Sequence, residues 1–455
     1  SSQIDLNSHK LTTGANDTST TFTGRIFGSG GELAKAGDGT FMLAYNNTYT
    51  GATAINRGAL VLQNNAPNPS SKTFTGTGSL TIEPASNSFT SSFSTNGWNF
   101  GTTLSGLTIG EVTNTANITV DQNLTVAGPI SIYGGDLTVS ANIESTANGD
   151  IFLRAKGGKF VMSGAVSLEK SGGSGTLTVQ SDESFTSDNA ASSITTSNGA
   201  VMNVILWTDY DNTDNDGGVS LQSDITTNGG HVWLGGSSTA SGSMIWNGLT
   251  VGDGPSIGTT GYNSHALNIW ADITTNGGDV LAWAGSGPDS SKDGISIHGL
   301  YVNQINTSDG DIILIADRVF EGGGSGGSSL AVNTTGTLTL APNGDSFASG
   351  FNFNPTVNGS DLDLQGDHNW LDIENYTNLG GLTIGAYSGT QVSGDSSFNI
   401  INSGSHVSVN TATTIKGGVA LHGQSIYVHE DIATTNATTA PILLKSYSTG
   451  GVAAG

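Results

Sequence analysis

The sequence predicts an all-β fold, a parallel β-helix that runs as one continuous stack of rungs. One observation is a short stretch that keeps returning. Asp224-Ile225-Thr226-Thr227-Asn228-Gly229-Gly230-His231-Val232-Trp233-Leu234 comes back 48 residues later as Asp272-Ile273-Thr274-Thr275-Asn276-Gly277-Gly278-Asp279-Val280-Leu281, and weaker copies begin at Ile143, Ile194, Ile305 and Ile432. Each copy is a β-branched residue, a polar pair, an Asn/Gly corner and then alternating aliphatics. Asn-Gly and Gly-Gly supply positive φ for a sharp turn, and alternation with period 2 marks a strand with one buried face. The second observation is composition: Gly is 67 of 455 residues, charged residues are only 11%, and no segment sustains a 3.6-residue apolar period. The third is a larger duplication, described below. Repetition at this scale means stacked units that bury their faces against neighbours, so the chain escapes the size limit of a single globular core.

Residues 1–75 form a distinct opening. Gly31-Glu32-Leu33-Ala34-Lys35-Ala36-Gly37-Asp38-Gly39 leads through Leu43 to Asn47-Thr48-Tyr49-Thr50-Gly51-Ala52-Thr53-Ala54-Ile55 and then Gly58-Ala59-Leu60. On its own this reads as three short strands with glycine corners. It closely resembles the autotransporter-associated β-strand repeat, with its pattern G-x-L-x-K-x-G-x-G, N-T-Y-T-G-x-T-x-I, G-x-L. The resemblance implies the passenger region of a large bacterial surface protein, built as right-handed parallel β-helix, with Tyr49 and Gly51 as corner residues. Right-handedness also agrees with the general preference of crossover connections.

Beyond residue 75 the duplication appears. Gly78-Ser79-Leu80-Thr81-Ile82-Glu83-Pro84 is echoed by Gly336-Thr337-Leu338-Thr339-Leu340-Ala341-Pro342. Gly-Leu-Thr-Ile-Gly stands at 106–110 and again at 381–385, and residues 128–143 correspond to 417–432. The offset between copies drifts from 258 to 275 to 289, so insertions are expected between them. Residues 76–333 are thus read as a first solenoid module and 334–455 as a partial second copy. The diffuse style of 76–455 resembles filamentous-haemagglutinin-like and autotransporter adhesins. With rungs of ~20–24 residues stacked about 4.8 Å apart, the chain would hold about 20 rungs. The 48-residue spacing reads as two such rungs or three shorter ones.

Charge and cysteine usage exclude several classes. Thirty-seven acidic against 13 basic residues leave a formal charge of −24, which argues against nucleic acid and anionic membranes and favours divalent cations. There is no Cys, so no disulfide or thiolate metal site exists. No apolar run approaches a membrane span.

Candidate sites are few. The acidic stretch 209–218 places Asn212, Asp214, Asp216 and Gly217 as in the first half of a calcium loop. Ser223 stands where the bidentate acid belongs. Asp209, Asp211, Asp214 and Asp216 therefore read either as a calcium site or as a solvated corner. Alternation puts Trp207, Trp233, Trp270 and Trp283 on the face opposite their aliphatic neighbours, pointing outward. Tyr133, Phe152 and Tyr427 share that parity. The row is either a contact surface for glycans or another rod, or a second core covered by other segments.

Catalysis gains little support. There is no Asp-Asp pair, and Arg154-Ala155-Lys156 lacks the acids that glycosidic chemistry needs. The expected function is accordingly structural and non-catalytic: an extracellular or cell-surface rod, as an adhesin stalk or a fibre subunit joined head to tail. A polysaccharide-acting enzyme and a glycan-binding module using the outward aromatics are the alternatives. The predicted core comprises Ile225, Val232, Leu234, Leu267, Ile269, Ile273, Val280 and Ile312. Apolar strands near both ends (Ile4, Leu6 and Leu11; Ile442-Leu443-Leu444) predict ends that pair with further modules or other copies.

Overall fold

The computed structural model describes residues 2–447 apart from 64–71, 214–216, 259–265, 286–293, 298–302, 318, 322–329, 348–350, 354, 359–360, 367–368, 375–377, 392–396, 410–411 and 437–439. Among the described residues there are strands and no α-helix. The chain divides into two compact units, unit 1 (residues 1–181 and 191–202) and unit 2 (182–190 and 203–455). This division falls elsewhere than the boundaries at 75 and 333 suggested by repetition.

Each unit is a parallel β-helix. A turn in unit 1 runs from Gly106–Ile109 to Ile118–Val120 and Leu124–Val126, then returns to Ile130–Gly134 beside the starting strand. Like positions of successive turns thus form three parallel sheets, here the long, second and third sheets. Leu107 pairs with Ile130 and Ile130 with Ile151, so these two turns take 23 and 21 residues. Each unit contributes eight strands to the long sheet position, from Thr20–Phe22 to Ser174–Ser181 in unit 1 and from residues 203–207 to Ile442–Ser446 in unit 2. That is fewer turns than rung length alone suggests, because insertions consume chain.

The interior follows from alternation. In unit 1, Leu80, Leu107, Ile130, Ile151 and Leu177 stack in register and are buried. In unit 2 all eight predicted core residues, Ile225, Val232, Leu234, Leu267, Ile269, Ile273, Val280 and Ile312, are 0% exposed. Full burial of such a side chain is worth about 1.5–3 kcal/mol, and the column repeats that gain at every turn.

The returning stretch explains itself at the corner. Thr227 and Thr275 point inward and are fully buried; their hydroxyls donate to the carbonyls of Gly230 and Gly278. Thr307 does the same to Gly310 at 2.6 Å. The first two bonds close turns whose middle residues both have positive φ, 53° and 100° at Asn228 and Gly229, 54° and 115° at Asn276 and Gly277. The polar groups of the corner are thereby satisfied inside the coil.

The 48-residue spacing is neither two rungs nor three. Val232 pairs directly with Val280, so it is a single turn enlarged by an antiparallel hairpin, Ser243–Trp246 with Leu249–Gly252. The drifting offset has the same origin. Thr337–Ala341, Gly381–Ile384 and Gly418–Gly423 follow one another in the long sheet as Ser79–Glu83, Gly106–Ile109 and Ile130–Gly134 do. The second copy adds strands Pro355–Asn358 and Asp361–Gly366 in the first interval, and Ala386–Gln391 with Ser397–Ile401 in the second. The duplicated segments keep their place in the coil, and the extra residues leave it as hairpins.

Candidate functional site

Three of the four tryptophans in the outward row come together. Trp207, Trp233 and Trp283 lie on the outer face of unit 2's long sheet, as alternation requires, with Ile205, Leu281 and Ile315. They do not form a contact surface: they are 3%, 0% and 5% exposed. Two of the inserted hairpins, 243–252 and 386–401, pair with each other, Met244 opposite Gln391 and Ile245 opposite Thr390, into a four-stranded antiparallel sheet. Met244, Trp246, Val251 and Ile400 of that sheet close over the tryptophans. The result is a second core outside the coil, a sheet-on-sheet packing of the kind that buries two inner faces. Trp207 donates its indole N–H to Ser237 Oγ at 2.7 Å and Trp283 to Asn343 Oδ1 at 2.7 Å. Trp270, beside the second-sheet strand Leu267–Ile269, stays half-buried and outside this cluster.

The covering hairpin had a sequence signal that alternation alone did not expose. Met244-Ile245-Trp246 and Leu249-Thr250-Val251 flank Asn247-Gly248, the pairing that favours a two-residue hairpin turn. Both turn residues have positive φ, 48° and 76°. Asn247 also ties the hairpin to the coil, donating to Asp279 Oδ2 at 2.5 Å.

The acidic stretch is only partly described, since Asp214 and Asp216 lie outside the described residues. Asp209 is buried with φ of 49°. The Asp211 carboxylate accepts the Thr213 hydroxyl at 2.9 Å, and Asn212 donates to the Ser238 carbonyl at 2.8 Å. These bonds make a corner of the coil. Among the described residues no three acidic or imidazole side chains converge as metal ligands. Arg154 and Lys156 are engaged with backbone carbonyls, of Ala155 at 3.0 Å and Val112 at 3.4 Å.

In unit 1 the Asn47-to-Gly51 motif lies between the long-sheet strand Thr40–Leu43 and the strand Thr53–Ile55. Asn47 Oδ1 accepts the Ile26 N–H at 2.8 Å, standing in for a backbone carbonyl of the next turn. Thr48 Oγ1 accepts from Arg25 at 2.7 Å, and Thr50 Oγ1 from the Gly30 N–H at 2.8 Å. Tyr49 is buried, its hydroxyl 2.7 Å from Thr53 Oγ1, and burial pushes its pKa up to about 12. Gly51 donates to the Gly31 carbonyl at 2.9 Å, so close to that backbone that a Cβ would collide with it. Lys72 reaches in from the following turn, donating to the Asn47 carbonyl at 2.9 Å with its ammonium 5.0 Å from the centre of the Tyr49 ring. Burial lowers the pKa of Lys72 to about 8. Every side chain of the motif thus serves rung-to-rung contact, which is the corner role expected of Tyr49 and Gly51.

Residues 33–62 match the family described as Passenger-associated-transport-repeat. They are a passenger-associated transport repeat. No curated protein and no solved structure matches the chain. The repeat occupies two successive turns of unit 1, through Glu32–Lys35, Thr40–Leu43, Thr53–Ile55 and Ala59–Gln63. Its Lys35 is buried, donating to the carbonyls of Gly37 at 2.5 Å and Arg57 at 3.4 Å. Burial lowers the Lys35 pKa, and Asp17 and Asp38 partly oppose that. Repeats of this kind belong to autotransporter passengers, so this one implies a secreted or surface protein, and the parallel β-helix around it agrees.

Proposed function

We propose that this chain is a structural, non-catalytic segment of an autotransporter passenger, acting as an adhesin stalk or as the subunit of a secreted fibre. The transport repeat carries the reading, because it is built wholly into the coil and its polar side chains bind neighbouring turns. Such a coil extends by adding turns without changing its cross-section.

The proposed partners are other copies or further modules, joined through exposed strand edges. Among the described residues, Ile442–Ser446 is the last strand of its sheet. Ile442 and Leu444 are 44% and 37% exposed, although Val419 and Leu421, their partners in the preceding turn, are buried. Head-to-tail addition of a parallel β-helix is heterologous, so it propagates.

Sedimentation velocity over a range of concentrations, with electron microscopy of the same samples, tests this reading. Mass should rise with concentration in the parent, and Ile442→Lys with Leu444→Lys should abolish the rise. A parent that stays monomeric at high concentration would remove the fibre-subunit role. Turnover of a polysaccharide by the purified chain would remove the non-catalytic one.

A further inference from the structure

We propose that the cleft beside the hairpin 386–401 in unit 2 binds a neutral, pyranose-type saccharide. This adds a ligand site to the structural role and does not depend on it. The cleft has a volume of about 490 Å³, within the range of small-ligand sites. Its floor is the outer face of the long sheet, where Thr339 and Thr383 stand opposite each other on adjacent strands. Tyr387 and Ile400 of the hairpin line it, as do His422 and Tyr447.

The His422 and Tyr447 rings are stacked, with centroids 6.1 Å apart and planes 23° from parallel. His422 Nδ1 lies 2.9 Å from the Tyr447 hydroxyl, which fixes both rings. Lys445 places its ammonium 5.2 Å from the centre of the Tyr447 ring. Asp311 also lines the cleft, one carboxylate oxygen accepting the Thr337 N–H at 2.7 Å. The hairpin wall is clamped at its base. Gly385 donates to the Leu340 carbonyl at 2.7 Å, Asn402 N–H to the Gly385 carbonyl at 2.8 Å, and the Asn402 amide to the His422 carbonyl at 3.2 Å.

The chemistry selects the ligand class. One cation and one carboxylate leave no net charge to hold a phosphate, which calls for several cations or converging N–H groups. A lipid tail would desolvate the Thr, Lys and Asp groups without repaying them with hydrogen bonds. Acidic polysaccharides meet a chain of charge −24. A neutral sugar ring has apolar C–H faces and hydroxyl edges. It matches flat aromatic walls beside a floor of hydroxyls, since such rings combine an apolar body with a polar tip. Burial and the nearby Lys445 lower the His422 pKa, which favours the neutral imidazole beside Tyr447.

Unit 1 carries the same ground plan without the wall. Thr81 and Thr108 are paired there, and Tyr133 stands beside Arg154 as His422 stands beside Lys445. No inserted hairpin follows Gly106–Ile109. The cleft therefore exists only where the second copy gained its hairpin, and unit 1 supplies an internal control.

The test uses the whole chain with cellotetraose, maltotetraose, chitotetraose and mannotetraose, read by saturation-transfer NMR, with sialyllactose and inorganic phosphate as charged probes. At least one neutral saccharide should bind. Thr383→Leu fills the cleft from the outer face and should weaken binding about tenfold or more. Lys445→Ala, an exposed position, should weaken it as well and covers the case in which Thr383→Leu fails to fold. Thr108→Leu in unit 1 should leave affinity unchanged. Binding of only the charged probes, binding of none, or equal affinity in the parent and both cleft variants would overturn the proposal.

Discussion

The outer faces of the two long sheets begin from the same backbone and end differently. In unit 1 one outward column reads Thr81, Thr108, Ser131, Phe152 and Thr178, none fully buried. The corresponding column in unit 2 opens with Ile205, Trp233, Leu281 and Ile313. Inward columns are aliphatic in both. The comparison separates two jobs of one strand: inward residues set the coil and its register, while outward residues decide whether a second layer forms. A polar column can stay bare in water. An aromatic and aliphatic column needs a cover, and unit 2 provides one from two hairpins far apart in sequence.

The largest effect should come from the face the units share. Ile269→Asp in unit 2 and Ile132→Asp in unit 1 each bury an unpaired carboxylate, at a cost of roughly 4–5 kcal/mol or more. Hydrogen-exchange mass spectrometry should show lost protection confined to neighbouring turns, because coupling in a solenoid is short-range. Loss spread evenly through both units would break the picture of locally held rungs. Next comes Trp233→Ala, which empties a site under the antiparallel sheet and should cost about 3–5 kcal/mol. Protection should fall in the strands Ser243–Trp246 and Ala386–Gln391 and remain intact throughout unit 1.

A pH titration should distinguish the units further, since the Lys72–Tyr49 pair belongs to unit 1. Lys72 in the folded state has a pKa of about 8, below its ordinary 10.5. Between those values the unfolded chain holds a proton that the folded one has released, so stability rises with pH across that window. Tyr49, at about 12 against 10.0, keeps a proton that the unfolded chain loses, so its contribution falls above pH 10. Unit 1 should thus be more stable at pH 10 than at pH 8, and Lys72→Met should flatten that rise. An unchanged slope in the variant would remove Lys72 as its cause. The smallest effect is Thr178→Ala on the bare face, expected within about 0.5 kcal/mol and measured by thermal melts. A larger loss would mean that unit 1's outer face is also a packed surface.

Much of the coil was legible because its determinants are local. Alternation around Ile225 and Val280 names the inward residues, and Asn228-Gly229 names the corner. The Asn47-to-Gly51 motif could be recognised from its residues, although only the structure shows that Asn47 substitutes for a carbonyl in the turn that follows Ile26. The number of turns was not legible, because an inserted hairpin and an extra rung lengthen a repeat equally. The cover over Trp233 stood only as one of two readings for a related reason: burial on an outer face depends on which distant segment lands there. Met244 and Ile400 meet over one cluster through long-range pairing that periodicity does not encode. The saccharide cleft was further out of reach, since it draws on several turns and on a hairpin absent from the first copy.

The two hairpins of the cover leave the coil at the same corner, between a long-sheet strand and the second-sheet strand that follows. Neither shifts the pairing of the turns around it, Val232 with Val280 and Leu382 with Val419. This corner is therefore a grafting port. Unit 1 has the matching one between Gly106–Ile109 and Ile118–Val120, where Val112 stands 66% exposed at the tip. Foreign loops spliced in at Val112 should be displayed on the flank of the coil while the coil itself keeps its register, and ports on successive turns would array them about 4.8 Å apart per turn.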